Sequence, residues 1–308
     1  MAGTVFVTGG SGFVGSAVID ELVGRGYTVR ALVRGRPIPD RGGKVAPVKG
    51  ELTDPAALDR GIAGCDAVVH LVGIIAEVPS KGVTFERVHF EGTKAVVDAA
   101  RRNGVKRHVQ MSAMGTRPDA VSAYHQTKWK AEEYVRASGL DWTILRPSMI
   151  HGPKGEFMQM EAAWARKAKL PYLFMPYFGL GATGFGGSGK LQPVYVGDVA
   201  RAFADALEKP GTIGQTYDVG GADVMDWPTM HKTVARIITG KSRLALPIPA
   251  WYAGLLTHVA PAALLPFNRA QVQMAREDNV GDNGPLERDF GWKPRGFEET
   301  VEAYKGQV

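Results

Sequence analysis

Cysteine is nearly missing from this chain of 308 residues: Cys65 is the only one. No internal disulfide can therefore form, and a reducing compartment is implied. Cys65 stands beside Asp66 at the head of an apolar run, which predicts a buried structural thiol rather than a reactive one. Long blocks of one charge are missing too. The formal net charge is +6, but the lysines and arginines are scattered. That argues against a nucleic-acid partner and for a small anion or a mild pull towards anionic lipid. There is no internal repeat and no low-complexity tract, and no metal site is expected. The first strand opens within about four residues of Met1, which predicts no signal peptide. With 44% hydrophobic and 22% charged residues, the composition is that of an ordinary globular protein. The length suits one large α/β domain with a smaller lobe.

What is present begins with Thr4-Val5-Phe6-Val7-Thr8-Gly9-Gly10-Ser11-Gly12-Phe13-Val14-Gly15. A short β-branched run meets a glycine-rich turn, and an apolar helical pattern (Val14, Val18, Leu22) follows at once. Strand, turn and helix in that order are the context of a dinucleotide-binding loop, so residues 8–15 are expected to hold a pyrophosphate. The turn brings backbone N–H groups against the phosphates, and the helix start adds unpaired donors and partial positive charge. Residues 27–33 read as the second strand, followed by Arg34. An acid there would hold a ribose 2′-hydroxyl, whereas an arginine favours a 2′-phosphate. NADP(H) is therefore the preferred cofactor, with NAD(H) the alternative.

Strands and helices then alternate, as a doubly wound parallel sheet requires. Residues 44–49 form a third strand. Asp54 precedes Pro55 as an N-cap, or faces an adenine ring. Residues 66–72 are a nearly continuous apolar run, as for a central parallel strand, and Gly73 leaves room for a cofactor at its end. Helices are expected over residues 84–103 and 121–138, and strands over 107–112 and 142–145. Ser112 falls at a strand end, and Tyr124 and Lys128 share a helix face at i and i+4. An ammonium beside a phenol favours the phenolate. In this arrangement Tyr124 exchanges a proton with a substrate oxygen, Ser112 donates a hydrogen bond to it, and Lys128 holds the nicotinamide ribose.

These motifs, with Arg146-Pro147-Ser148, resemble the extended and atypical short-chain dehydrogenases/reductases. Further stretches are closer to one branch: His70-Leu71-Val72-Gly73-Ile74-Ile75, His89-Phe90-Glu91-Gly92-Thr93, Gln110-Met111-Ser112-Ala113-Met114-Gly115 and Pro193-Val194-Tyr195-Val196-Gly197-Asp198-Val199-Ala200. They resemble the NAD(P)H-binding accessory subunit of respiratory complex I and its bacterial relatives, over about the first 220 residues. The resemblance implies a Rossmann domain over residues 1–147, completed by strands near 191–196 and 215–219. A smaller lobe takes 148–190 and 220–308. It also implies cofactor contacts at Leu71, Val72, Gly73, Pro147 and Ser148. Cofactor retention without turnover is known in this branch. His89 stands where extended members often carry an asparagine of a proton relay.

In the smaller lobe a helix is expected over residues 156–169, and the glycine-rich stretch 179–189 is either a lid or a long hairpin turn. Asp198 is expected to cap a helix over residues 199–207. Residues 244–267 carry no Lys, Arg, Asp or Glu, yet Pro247, Pro249, Pro261 and Pro266 break them. This predicts two short amphipathic helices lining an apolar pocket or lying on a membrane, rather than a transmembrane span. The combined expectation is an NADPH-preferring oxidoreductase for a hydrophobic carbonyl or quinone-like substrate. The alternatives are a non-catalytic accessory protein of a respiratory or membrane assembly and a nucleotide-sugar epimerase or dehydratase. The expected location is cytoplasmic, with contact to the inner face of a membrane.

Overall fold

A computed structural model describes residues 3–259, 265 and 267–308. It divides into two compact units. The first comprises Met1–Pro147, Val196–Val219 and Asn283–Lys293. Its centre is a seven-stranded, all-parallel sheet in the spatial order Gln215–Val219, Asp141–Pro147, Arg107–Met111, Ala67–His70, Thr4–Thr8, Thr28–Val33, Val45–Lys49. Order reverses between Thr4–Thr8 and Ala67–His70, and ligands of such sheets bind outside the strand ends at that reversal. Val5, Phe6 and Val7 are all fully buried, as a strand covered on both faces demands. Phe13–Gly24 and Val196–Glu208 pack together on one face. On the other, Pro55–Ile62, Gly92–Arg102 and Ala123–Arg136 close a core around Phe6, Val68, Val96 and Ile144. The α/β Rossmann class follows directly from this sheet, with a smaller and mostly helical C-terminal lobe.

Local chemistry sets the helix starts. Asp54 accepts the Ala57 N–H at 3.0 Å with Pro55 in the first turn, and Ser122 accepts the His125 N–H at 3.3 Å. Asp198 lies inside the first turn of Val196–Glu208 rather than at its cap, because the helix begins before it. Its negative charge still complements the helix dipole there. Cys65 is buried and its thiol donates to the Gly61 carbonyl at 3.2 Å.

The second unit comprises Ser148–Tyr195, Gly220–Asp282 and Pro294–Val308. Residues near 191–196, expected to complete the Rossmann sheet, do not reach it. Lys190–Leu191 pairs with Met225–Asp226, and Val194–Tyr195 pairs with Ile150–His151, each as a separate two-stranded piece. Gln192-Pro193 interrupts the run, and proline has no N–H for a ladder. Residues 283–293, expected in the smaller lobe, belong to the first unit. There Tyr217 donates to Asp289 at 2.8 Å, tying the helix Gly284–Phe290 to the last strand.

The expected helix pair in residues 244–267 is also corrected. Ala245–Pro249 is a strand, parallel to Met175–Gly179, and among the described residues of this stretch Ala250–Val259 is the helix. A two-stranded ribbon has two free edges, which is where Pro247 and Pro249 are tolerated. Pro261 and Pro266 lie outside the described residues. Among the described residues no helix is long and apolar enough to cross a membrane. The glycine-rich stretch folds back on itself: Leu180 N–H donates to Gly187 O and Gly186 N–H to Leu180 O, both at 2.9 Å. A Cβ on Gly179 would stand 1.9 Å from Gly184 O, so the turn closes only because that side chain is absent.

Candidate functional site

The glycine loop sits at the sheet reversal. Gly9 takes φ +74°, which a side chain would strain, and its backbone packs on Leu71 and Val72. A Cβ on Gly15 would come within 2.1 Å of Gly9 O, so the third glycine lets the helix start against the turn. Gly12 is different. It is exposed, has an ordinary φ of −83°, and a Cβ there would meet only Gly9 O at 3.3 Å. The fold itself does not demand glycine at that position, whereas an approaching diphosphate would. No side chain caps this helix and no acid stands in its first turn, so the cradle suits an anion. Gly10 is buried against Ile19, while Ser11 is exposed and Phe13 and Val14 are half-buried.

Several expected contacts use their side chains elsewhere. Thr8 is fully buried, and its hydroxyl bonds His70 Nδ1 at 2.5 Å rather than facing the crevice. Asp54 spends one carboxylate oxygen on its helix cap. Ser148 belongs to the second unit, where its hydroxyl donates to the Gln192 carbonyl. Pro147 is buried at the end of its strand, and its carbonyl accepts the Met114 N–H at 2.9 Å. Arg34 and Arg36 stand exposed just beyond Thr28–Val33.

Ser112, Tyr124 and Lys128 meet where Arg107–Met111 ends against the helix Ala123–Arg136. The Lys128 ammonium is buried, 5.5 Å from the centre of the Tyr124 ring, and reaches the Met111 carbonyl at 3.5 Å. Ser112 is the next residue along and donates to Thr116 Oγ1 at 3.4 Å. A Cβ on Gly73 would lie 3.4 Å from Lys128 Nζ, so that glycine keeps the space before the ammonium open. With one long protein bond, Lys128 retains donors for a ribose. Burial lowers its pKa to about 8, and Glu132 opposes the shift. The Tyr124 phenol, half-buried, is pushed above its ordinary value by burial. The expectation that Lys128 would draw out the phenolate is therefore reversed here: desolvation outweighs the neighbouring charge, and the phenol keeps its proton.

His89 is buried, and both of its ring nitrogens are bonded. Nδ1 pairs with Thr127 Oγ1 at 3.0 Å, and Nε2 lies 3.1 Å from the Ile74 N–H and 3.2 Å from its carbonyl. Burial, aided by Lys128, lowers its pKa to about 2, so the ring is neutral. It packs against Phe85 at 5.3 Å and edge-on to Tyr124 at 5.1 Å. The expected helix 84–103 is not one α-helix: Glu86–Glu91 is a π turn feeding Gly92–Arg102. The wider turn re-aims the ring between the segment after Ala67–His70 and the Tyr124 helix.

Glu132 is a further residue that sequence reasoning passed over. It is fully buried and accepts from Arg146 at 2.8 and 2.6 Å and from Arg136 at 2.7 Å, locking the helix to Asp141–Pro147. Its i+4 spacing from Lys128 and to Arg136 was the available signal.

The NAD(P)H-binding family model matches residues 9–163. The chain is 30% identical over 256 residues to subunit 9 of the NADH dehydrogenase [ubiquinone] 1 alpha subcomplex of Arabidopsis thaliana mitochondria, covering 80% of this chain. It spans only 60% of that relative's length. It is 30% identical over 261 residues to a ceramide reductase of Caulobacter vibrioides, covering 83% of this chain and 76% of the relative. Among solved structures it is similar to the UDP-glucose 4-epimerase of Thermotoga maritima, with a TM-score of 0.73 at 21% identity over 99% and 98% of the two chains. At that identity the likeness speaks for the fold alone. The sheet, the glycine cradle and the family match agree: this chain belongs to the NAD(P)H-binding family.

Proposed function

We propose that this chain is an NADPH-preferring reductase of a hydrophobic carbonyl compound, quinone-like rings included. The observation that carries the proposal is the ammonium of Lys128 beside the Tyr124 ring at the Ser112 strand end, in front of the space kept by Gly73. The nicotinamide would supply the hydride. Lys128 holds the ribose below it, Ser112 donates to the substrate oxygen, and Tyr124 delivers the proton. The Tyr124 phenol holds a proton at neutral pH, as a donor to a substrate oxygen must. Arg34 supports the choice of NADPH, since its charge suits a 2′-phosphate. The ceramide reductase relative supports an apolar substrate.

Tyr124→Phe removes the proton donor and nothing else. It should lower NADPH oxidation in a panel of apolar ketones and quinones by about 10²–10⁴-fold while leaving NADPH affinity intact. Unchanged turnover would overturn the assignment. Two other readings have support. The relatives that are subunits of mitochondrial NADH dehydrogenase favour an accessory role in a larger assembly, in which case the panel stays silent with wild type. A third reading, transient oxidation of a nucleotide sugar, is one that the fold shared with UDP-glucose 4-epimerases accommodates. That reading requires an epimerised or dehydrated product from UDP- or dTDP-sugars with no net change in nicotinamide absorbance.

A further inference from the structure

The second unit carries a charge pattern that the cofactor site does not use. Residues 162–195 and 227–276 contain ten lysines and arginines and no aspartate or glutamate, in a chain with 31 acidic residues. Nine of the fifteen exposed large apolar side chains among the described residues fall in the same two runs. One group gathers at the leading end of the strand pair Met175–Gly179 and Ala245–Pro249. There Arg243 donates to the Tyr172 carbonyl at 2.6 Å and the Met175 N–H donates to the Leu244 carbonyl at 2.8 Å, bringing Leu170, Tyr172, Leu173 and Leu244 together. Leu173 is 78% exposed. Arg166, Lys167, Lys169 and Lys241 flank this group, all exposed. None of the four has a carboxylate within ion-pairing distance among the described residues. Lys167 also holds φ +60°, a left-handed conformation that glycine would adopt at lower cost.

The other group lies at the trailing end. Ala250–Val259 buries Ala250 and Ala253 against Val272 and turns Trp251, Leu255 and Val259 outward at i, i+4 and i+8, with Tyr252 beside them. The Trp251 indole donates to the Ala182 carbonyl at 2.8 Å, which places the exposed Phe185 loop next to this face.

We propose that these two apolar groups and their flanking cations dock the second unit on a bilayer containing anionic lipid. Exposed leucines with flanking cations, and Trp and Tyr at the edge, match an interfacial surface in which apolar side chains enter the acyl boundary and ammonium groups meet phosphates. Tyr172, Phe185, Trp251 and Tyr252 offer faces to nucleic-acid bases, but the other five, Leu170, Leu173, Leu244, Leu255 and Val259, are aliphatic and gain only from an apolar medium. A protein partner gives no reason for excluding every carboxylate from both runs. A uniformly anionic sheet does, because a single acid there would be repelled. The docking is in-plane, since no described helix spans a membrane.

The test is sedimentation of the full chain with vesicles of phosphatidylcholine alone and with phosphatidylglycerol added. It requires no turnover, so its outcome is independent of the proposed reductase activity. The chain should partition onto the anionic vesicles and little onto the neutral ones, and raising the salt should release most of it. Lys167→Gln/Lys169→Gln/Lys241→Gln should lower the partition coefficient roughly a hundredfold. Trp251→Ser/Leu255→Ser should lower it about tenfold or more. These substitutions are at exposed positions, and NADPH binding with an unchanged thermal midpoint certifies the fold of each variant. Equal partitioning on both vesicles, or none on either, overturns the proposal. So does a lipid-independent dimer that Trp251→Ser splits, which would make a second copy the occupant.

Discussion

Each unit buries one glutamate completely, and the two are satisfied very differently. Glu132 in the first unit takes a bidentate fork from Arg146 and a further bond from Arg136. Glu161 in the second bonds only His231 Nδ1, at 2.8 Å. Its Oε1, His231 Nε2 and the nearby Trp227 Nε1 are buried with no partner among the described residues. The first arrangement ties the helix that carries Tyr124 and Lys128 to the strand Asp141–Pro147. The second sits in an aromatic surround of Trp164, Tyr177 and Trp227 and contributes no comparable lock. Polar order is thus concentrated where chemistry needs positioning, and the second unit shows apolar surface instead.

The contrast can be broken by substitution. The largest effect is expected at Glu132→Leu, which leaves the half-buried Arg146 without its ion-pair partner and Arg136 with Glu133 alone. Chemical denaturation should show a loss of about 3 kcal/mol or more. Next is His89→Ala, which frees Ile74 from the Tyr124 helix. Steady-state assays should show kcat/KM falling about ten- to a hundredfold with NADPH still bound, and His89→Asn recovering part of the loss. A neutral imidazole titrates nowhere near assay pH, so the pH profile should keep its shape in both variants. An altered acid limb would restore the proton-relay role.

In the second unit, the double replacement Glu161→Leu/His231→Leu should be neutral or stabilising by up to about 2 kcal/mol, as read from thermal unfolding. A loss as large as that at Glu132 would erase the difference between the units. The smallest effect near neutrality concerns Lys128. Its folded pKa of about 8 lies below the ordinary 10.5. The ammonium is therefore lost as pH rises through 8, and kcat/KM for reduction should decline above that point. The unfolded chain still holds this proton up to 10.5, so the contribution of Lys128 to folding stability should rise between those two values, the reverse of the activity trend.

Much of the first unit was legible because parallel strands covered on both faces read as short apolar runs. Glycine 9, 12 and 15 also mark one turn whatever follows. Ser112, Tyr124 and Lys128 were picked out by their spacing together with the glycine loop upstream, and the structure brings them to one strand end. The role of His89 was not, because a periodicity of 3.6 assumes an α-helix and Glu86–Glu91 is wider. The strand Ala245–Pro249 was hidden by its prolines, which ordinarily argue against strands but are accepted at a free edge. Glu161 and His231 lie 70 residues apart, and nothing in either neighbourhood announces the other.

The π turn at Glu86–Glu91 has one last consequence. An expanded turn holds one residue more than the regular spiral would, so shortening it by a single deletion would restore ordinary winding and strengthen the helix locally. The same deletion would swing the imidazole roughly 100° around the axis, away from both of its bonding partners. A sturdier but poorly catalysing variant is the expected result, and this bend is where durability and turnover pull in opposite directions.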